Sequence, residues 1–136
     1  MVYVTRIAHF NAAHRLFRAD WSEEKNNAVF GKCANKNWHG HNFTLEVTVK
    51  GYPDKETGFV IDLKVLKKII NEHIIDRLDH KNLNSDVPFL ESVQPSIENV
   101  IVKIWEQLIP HIPAPSLLHK ITLHETSSNF CEYYGS

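Results

Sequence analysis

His39-Gly40-His41-Asn42-Phe43-Thr44-Leu45-Glu46-Val47-Thr48-Val49-Lys50 decides how this chain folds. From His41 onward, apolar Phe43, Leu45, Val47 and Val49 alternate with Asn42, Thr44, Glu46, Thr48 and Lys50. That period of two marks a half-buried strand with one face toward a core. Gly51 and Pro53 end it. The same stretch opens on two histidines two residues apart. Residues i and i+2 of a strand point the same way, so both imidazoles sit on the edge of the apolar face.

The segment before it has the same pattern. Val2, Val4, Ala8, Phe10 and Ala12 share one face of a strand over about residues 2–14, interrupted only by Arg6 and ending in His14. If the two strands pair antiparallel, the end of the first meets the start of the second. His14, His39 and His41 then gather at one edge of a single buried face. Three histidines leave one position of a tetrahedral ion open, the catalytic rather than the structural pattern, and zinc suits imidazole donors without redox chemistry. The competing reading is three separate histidines, each hydrogen-bonded in or near the core.

Beyond these strands the period changes. Leu63, Leu66, Ile70 and Ile74 predict a helix over about 62–78 with Asp62 as its N-cap. Ile97, Ile101, Ile104 and Leu108 predict another over about 96–109, capped by Ser96 and stopped by Pro110. A third strand is predicted over 117–125, with Leu117, Ile121, Leu123 and Glu125 on one face. A turn follows at Thr126-Ser127-Ser128-Asn129, then a short strand over 130–134. The expected fold is α+β: a four-stranded antiparallel sheet with two helices on one face, all in a single domain over residues 1–136.

Composition narrows the function. The chain has 136 residues and a formal net charge of −1, which gives no reason to expect nucleic acid as a partner. No apolar run is long enough to span a membrane, and Met1 to Arg6 lacks the apolar core of a signal peptide. The 2 cysteines, Cys33 and Cys131, are too few for a disulfide scaffold. Both read as free thiols and the protein as cytoplasmic.

Three further positions carry chemistry. Cys33 lies in the connection of about 24 residues between the first two strands, a length at which function is expected. Its thiol is either a fourth metal ligand, an acid–base group or an inert packing residue. Asp79-His80 follows the first helix, where a carboxylate can orient an imidazole and the imidazole can relay a proton to a thiol. Glu125 is a carboxylate on an otherwise apolar strand face. It could accept the paired N–H donors of a heterocycle edge in bidentate fashion.

These residues stand in segments that resemble the 6-pyruvoyl tetrahydropterin synthase and 6-carboxy-tetrahydropterin synthase family. The segments are Phe10-Asn11-Ala12-Ala13-His14, Phe30-Gly31-Lys32-Cys33, His39-Gly40-His41-Asn42, Leu78-Asp79-His80-Lys81-Asn82-Leu83, Ser96-Ile97-Glu98-Asn99 and His124-Glu125-Thr126. The resemblance implies the T-fold, with sheets joined edge to edge into trimers, two trimers forming a homohexamer, and sites at subunit interfaces. It implies zinc on His14, His39 and His41, and a proton relay of Cys33, Asp79 and His80. Glu125 would anchor a pterin ring with Ser96 and Thr126 nearby.

The implied substrate is 7,8-dihydroneopterin triphosphate. Two fates are implied: 6-pyruvoyl-tetrahydropterin in tetrahydrobiopterin biosynthesis, or the 6-carboxy product with acetaldehyde in queuosine biosynthesis. The five residues between Cys33 and His39 resemble the pyruvoyl-forming branch. The family often carries threonines where Ser96-Ile97 stand. A non-catalytic zinc- or pterin-binding protein on the same fold is the alternative from a different class.

Overall fold

A computed structural model describes residues 1–136. Strand β1 (Val2–His14) and strand β2 (His39–Gly51) pair antiparallel without interruption from Val2 opposite Gly51 to His14 opposite His39. The predicted alternation holds. Phe10, Ala12, Phe43, Leu45, Val47 and Val49 face the core, while Asn11 and Asn42 face outward and share a hydrogen bond.

The sheet has five strands, not four, and is mixed rather than wholly antiparallel, in the order β3-β1-β2-β4-β5. The added strand, β3 (Lys81–Asn82), is two residues long and runs parallel to β1 beside Ala12 and Ala13. A pair of residues carries no periodicity, so pattern reading passes over it. β4 (Leu117–His124) pairs with β2, and β5 (Phe130–Tyr133) pairs with β4.

The register of β4 against β2 shifts at Thr48/Val49, so that Lys120 faces Thr48 but Leu118 faces Val49. The bulge reverses which side chains point inward below it. Leu118 is therefore buried and Leu117 exposed, opposite to the alternation predicted from sequence. The strand also ends at His124, leaving Glu125 just beyond it.

The connection between β1 and β2 contains a third helix that sequence reading missed, α1 (Glu23–Phe30), followed by a 3₁₀ turn over Gly31–Ala34. Ser22 caps α1 by accepting from the Lys25 N–H. Of its residues only Asn26 is buried, so the segment shows no apolar stripe. Asn26 instead bonds both the N–H and the carbonyl of Arg18, tying the helix to the chain before it.

The helix predicted over 62–78 is α2 (Leu63–Ile70), a π turn (Asn71–Ile75) and α3 (Asp76–Leu78), with Asp62 capping as expected. Leu66, Ile70, Ile74 and Leu78 are fully buried, whereas Leu63 lies exposed in the first turn. A four-residue repeat drifts by about 40° per step on a straight α-helix. The wider π turn takes up that drift and holds all four on one line. α4 (Ile97–Leu108) lies beside it, capped by Ser96. Together these helices and the inner sheet face enclose one contiguous cluster of 22 buried apolar residues. The strand pair thus delivers His14, His39 and His41 to one end of that core.

Candidate metal centre

One nitrogen from each of His14, His39 and His41 lies within 4.8 Å of the others. The β1–β2 register fixes this, since His14 faces His39 directly and His41 follows two residues along the same face. Gly40 between them leaves room for the neighbouring strand, since a Cβ there would lie 3.3 Å from the Ala12 carbonyl oxygen, a tight contact. Phe43 packs edge-on to the His14 and His41 rings and is itself stacked on Phe10. The His14 and His41 rings thus rest on buried aromatic side chains, and His39 packs against both of them.

His14 is 1% exposed, and its Nδ1 donates to the Pro95 carbonyl at 2.8 Å. A carbonyl can only accept, so Nδ1 carries the proton and Nε2 presents its lone pair. That Nε2, both ring nitrogens of His39 and Nε2 of His41 are buried without a hydrogen-bond partner. Nε2 of His41 lies 3.2 Å from Oε1 of Glu125, close enough for attraction but not aligned as a hydrogen bond. A buried polar atom left unpaired costs about 1–3 kcal/mol. Several such atoms converging on one point are what a coordinated cation would satisfy, so the donor set fits a metal ion.

The electrostatics agree with that fit. Burial pushes the pKa of His14 down, partly offset by the Pro95 hydrogen bond and by Glu125. His39 is lowered by burial and then by the charge of His14. His41 is lowered by burial, with Glu125 opposing and His39 adding. All three are held toward the neutral form that binds metal.

The other predicted residues divide into two groups. Glu125 stands beside His41, its backbone N–H bonded to the Asn129 carbonyl. Ser96 follows Pro95 directly, and its hydroxyl accepts from the Asn99 N–H. The Thr126 hydroxyl accepts from the Ser128 and Asn129 N–H groups. Both hydroxyl oxygens thus serve local turns, and each keeps its proton to donate.

Cys33 sits half-buried in the 3₁₀ turn, where its carbonyl accepts from the Leu16 N–H at 2.8 Å. Its sulfur does not join the group that could hold a metal. Asp79 and His80 form a pair of their own at 3.0 Å. Asp79 also accepts from the Asn11 N–H, which holds its carboxyl below the ordinary range, and His80 donates its backbone N–H to the Asn11 carbonyl. No hydrogen bond joins Cys33 to either residue within one chain, and the His80 side chain is 83% exposed.

Two features of the site were not read from sequence. The Pro95 carbonyl orients His14, and a backbone acceptor leaves no sequence signal beyond the adjacent Ser96 cap. Cys131, half-buried on β5, has its thiol pushed up to about 11 by burial and by the nearby carboxylates of Glu98 and Glu125. It therefore stays protonated at neutral pH.

Three histidines that could hold a metal ion, with a carboxylate beside them, define the class: an α+β domain with a candidate metal centre at the end of its central β1–β2 pair. The family model described as 6-pyruvoyl tetrahydropterin synthase matches residues 3–136, and the chain belongs to that family. It is 47% identical over 133 residues to a 6-pyruvoyl tetrahydrobiopterin synthase of Poecilia reticulata, covering 98% of this chain and 90% of that one. It is 45% identical over 132 residues to the human protein of the same name, covering 97% and 90%. The structure of Caenorhabditis elegans 6-pyruvoyl tetrahydropterin synthase superposes with a TM-score of 0.92 at 40% identity, over 99% of this chain and 96% of that one.

Proposed function

We propose that this chain is a zinc-dependent lyase that converts 7,8-dihydroneopterin triphosphate to 6-pyruvoyl-tetrahydropterin with elimination of triphosphate. The observation that carries the reading is the set of unpaired ring nitrogens on His14, His39 and His41 beside Glu125, in a member of this family. Zinc on these three residues would act as a Lewis acid toward the hydroxyls of the substrate side chain.

The remaining steps belong to the protein's own groups. Glu125 accepts the N–H edge of the pterin ring, and Ser96 and Thr126 donate hydroxyl protons to the same ring. Asp79 holds Nδ1 of His80, which leaves Nε2 free to take the Cys33 proton. Cys33 then removes a proton from a side-chain carbon, the C–H electrons form a double bond, and the neighbouring C–O bond breaks to release triphosphate. Return of protons to the ring and side chain completes an internal redox shift that needs no outside oxidant. Because Cys33 and His80 are not joined within one chain, the relay is assigned to two subunits of a homo-oligomer, a hexamer on this reading.

The test is turnover of 7,8-dihydroneopterin triphosphate by zinc-loaded protein, with products identified by mass spectrometry. The expected product is 6-pyruvoyl-tetrahydropterin. A 6-carboxy product with acetaldehyde would move the chain to the other branch, and no product at all would leave a binding protein.

A further inference from the structure

A cleft of about 760 Å³ opens within the connection between β1 and β2, lined by residues that adjoin His14 and Cys33 in sequence. Its walls are strongly polar: only 3 of its 13 lining residues are hydrophobic, so an aromatic ring is a poor occupant. Four cations line it, Arg15, Arg18, Lys32 and Lys36. Two are already paired. Arg18 meets Asp20 through two hydrogen bonds at 2.9 and 2.7 Å, and Lys36 lies 3.3 Å from Glu23. Arg15 and Lys32 have no carboxylate partner.

Arg15 is also pre-positioned. Its backbone N–H and carbonyl are both held by the Asn84 side chain, its Nε donates to the Ala34 carbonyl, and its guanidinium stacks 3.9 Å over the Phe17 ring. The two Nη groups make no hydrogen bond in the protein. A fixed guanidinium with its fork free is suited to bidentate recognition of phosphate. Asn27, Asn35 and Asn37 add amide groups to the same walls.

The position matters as much as the charge. Arg15 directly follows His14, and Lys32 directly precedes Cys33. The Leu16 N–H to Cys33 carbonyl bond ties these two segments together. The two free cations are therefore one residue away from a candidate metal ligand and from the candidate acid–base thiol.

We infer that this cleft is the polyphosphate subsite, and that Arg15 and Lys32 bind the triphosphate chain of the substrate. The assignment rests on the reading of the substrate as a pterin triphosphate and adds to it the residues that hold the leaving group. Neutralising the terminal phosphates both anchors the substrate and stabilises the charge that develops on the departing oxygen.

Inorganic tripolyphosphate is the probe, titrated calorimetrically into the zinc-loaded protein and into Lys32→Glu. Any contact between the probe and the metal is common to both proteins, so the difference between them reports the cleft. Lys32 is exposed, so its replacement leaves the fold intact, whereas Arg15→Gln also loses the Ala34 contact and serves as the second variant. Lys32→Glu should weaken tripolyphosphate binding by about tenfold or more and raise KM for the pterin triphosphate. Equal affinity in wild type and Lys32→Glu, or no binding to wild type, would overturn the assignment. Binding that depends on Lys32 in a protein that fails to turn over the pterin triphosphate would retain the subsite and reject the catalytic reading.

Discussion

At the scale of single residues, His14 bears the most consequence. It is the deepest of the three candidate ligands and the only one whose free tautomer is set by the backbone, through Pro95. His14→Ala should reduce bound metal from one ion per chain to near zero, measured by elemental analysis of the purified protein. Retention of stoichiometric metal would remove His14 from the ligand set. The same burial predicts a pH effect in metal-free protein. The folded pKa values of His14, His39 and His41 lie below the ordinary 6.5. As pH falls through 6.5 the unfolded chain takes up protons that the folded chain does not. Stability is therefore full above about 6.5 and declines below it, and bound metal should suppress that decline because it favours the neutral rings. Denaturant melts at pH 7.5 and 5.5, with and without zinc, check the sign.

At the scale of elements, the β4 bulge gives a sharp contrast between neighbours. Leu118 is 9% exposed and Leu117 57%. Leu118→Ala should destabilise by about 2–4 kcal/mol through lost burial and an unfilled cavity. Leu117→Ala should stay within about 0.5 kcal/mol. Equal effects in urea denaturation would mean that the register shift is misplaced. This pair also shows where sequence stops informing. Alternation over 41–50, and over 2–14 with Arg6 its one interruption, was enough to pair β1 with β2 and to bring the three histidines together, because one register satisfies both faces. The bulge was illegible since one extra residue leaves no mark in composition. α1 was illegible for another reason: its stability comes from Ser22 and Asn26 hydrogen bonds and not from an apolar stripe. The π turn hides inside a continuous helical repeat, and β3 is too short to show any period.

At the scale of the whole molecule, the candidate relay poses a problem of counting subunits. Its residues were legible, but their meeting was not, because a sequence does not say which copy of a chain supplies a group. His80 projects into solvent and Cys33 lies elsewhere on the same chain, so one chain presents two half-relays. If catalysis joins them across an interface, two inactive variants should rescue each other. Cys33→Ala and His80→Ala homo-oligomers are each expected to lose nearly all turnover. Denaturing them together in equal amounts and refolding mixes the subunits at random. A relay drawn from two subunits then receives an intact Cys33 in half of cases and an intact His80 in half, so about a quarter of sites recover. A relay formed within one chain recovers none, because every chain in the mixture carries one lesion. Return of about a quarter of wild-type activity, with each variant alone inactive after the same treatment, would place the relay between subunits; persistent inactivity in a properly refolded oligomer would confine it to one chain.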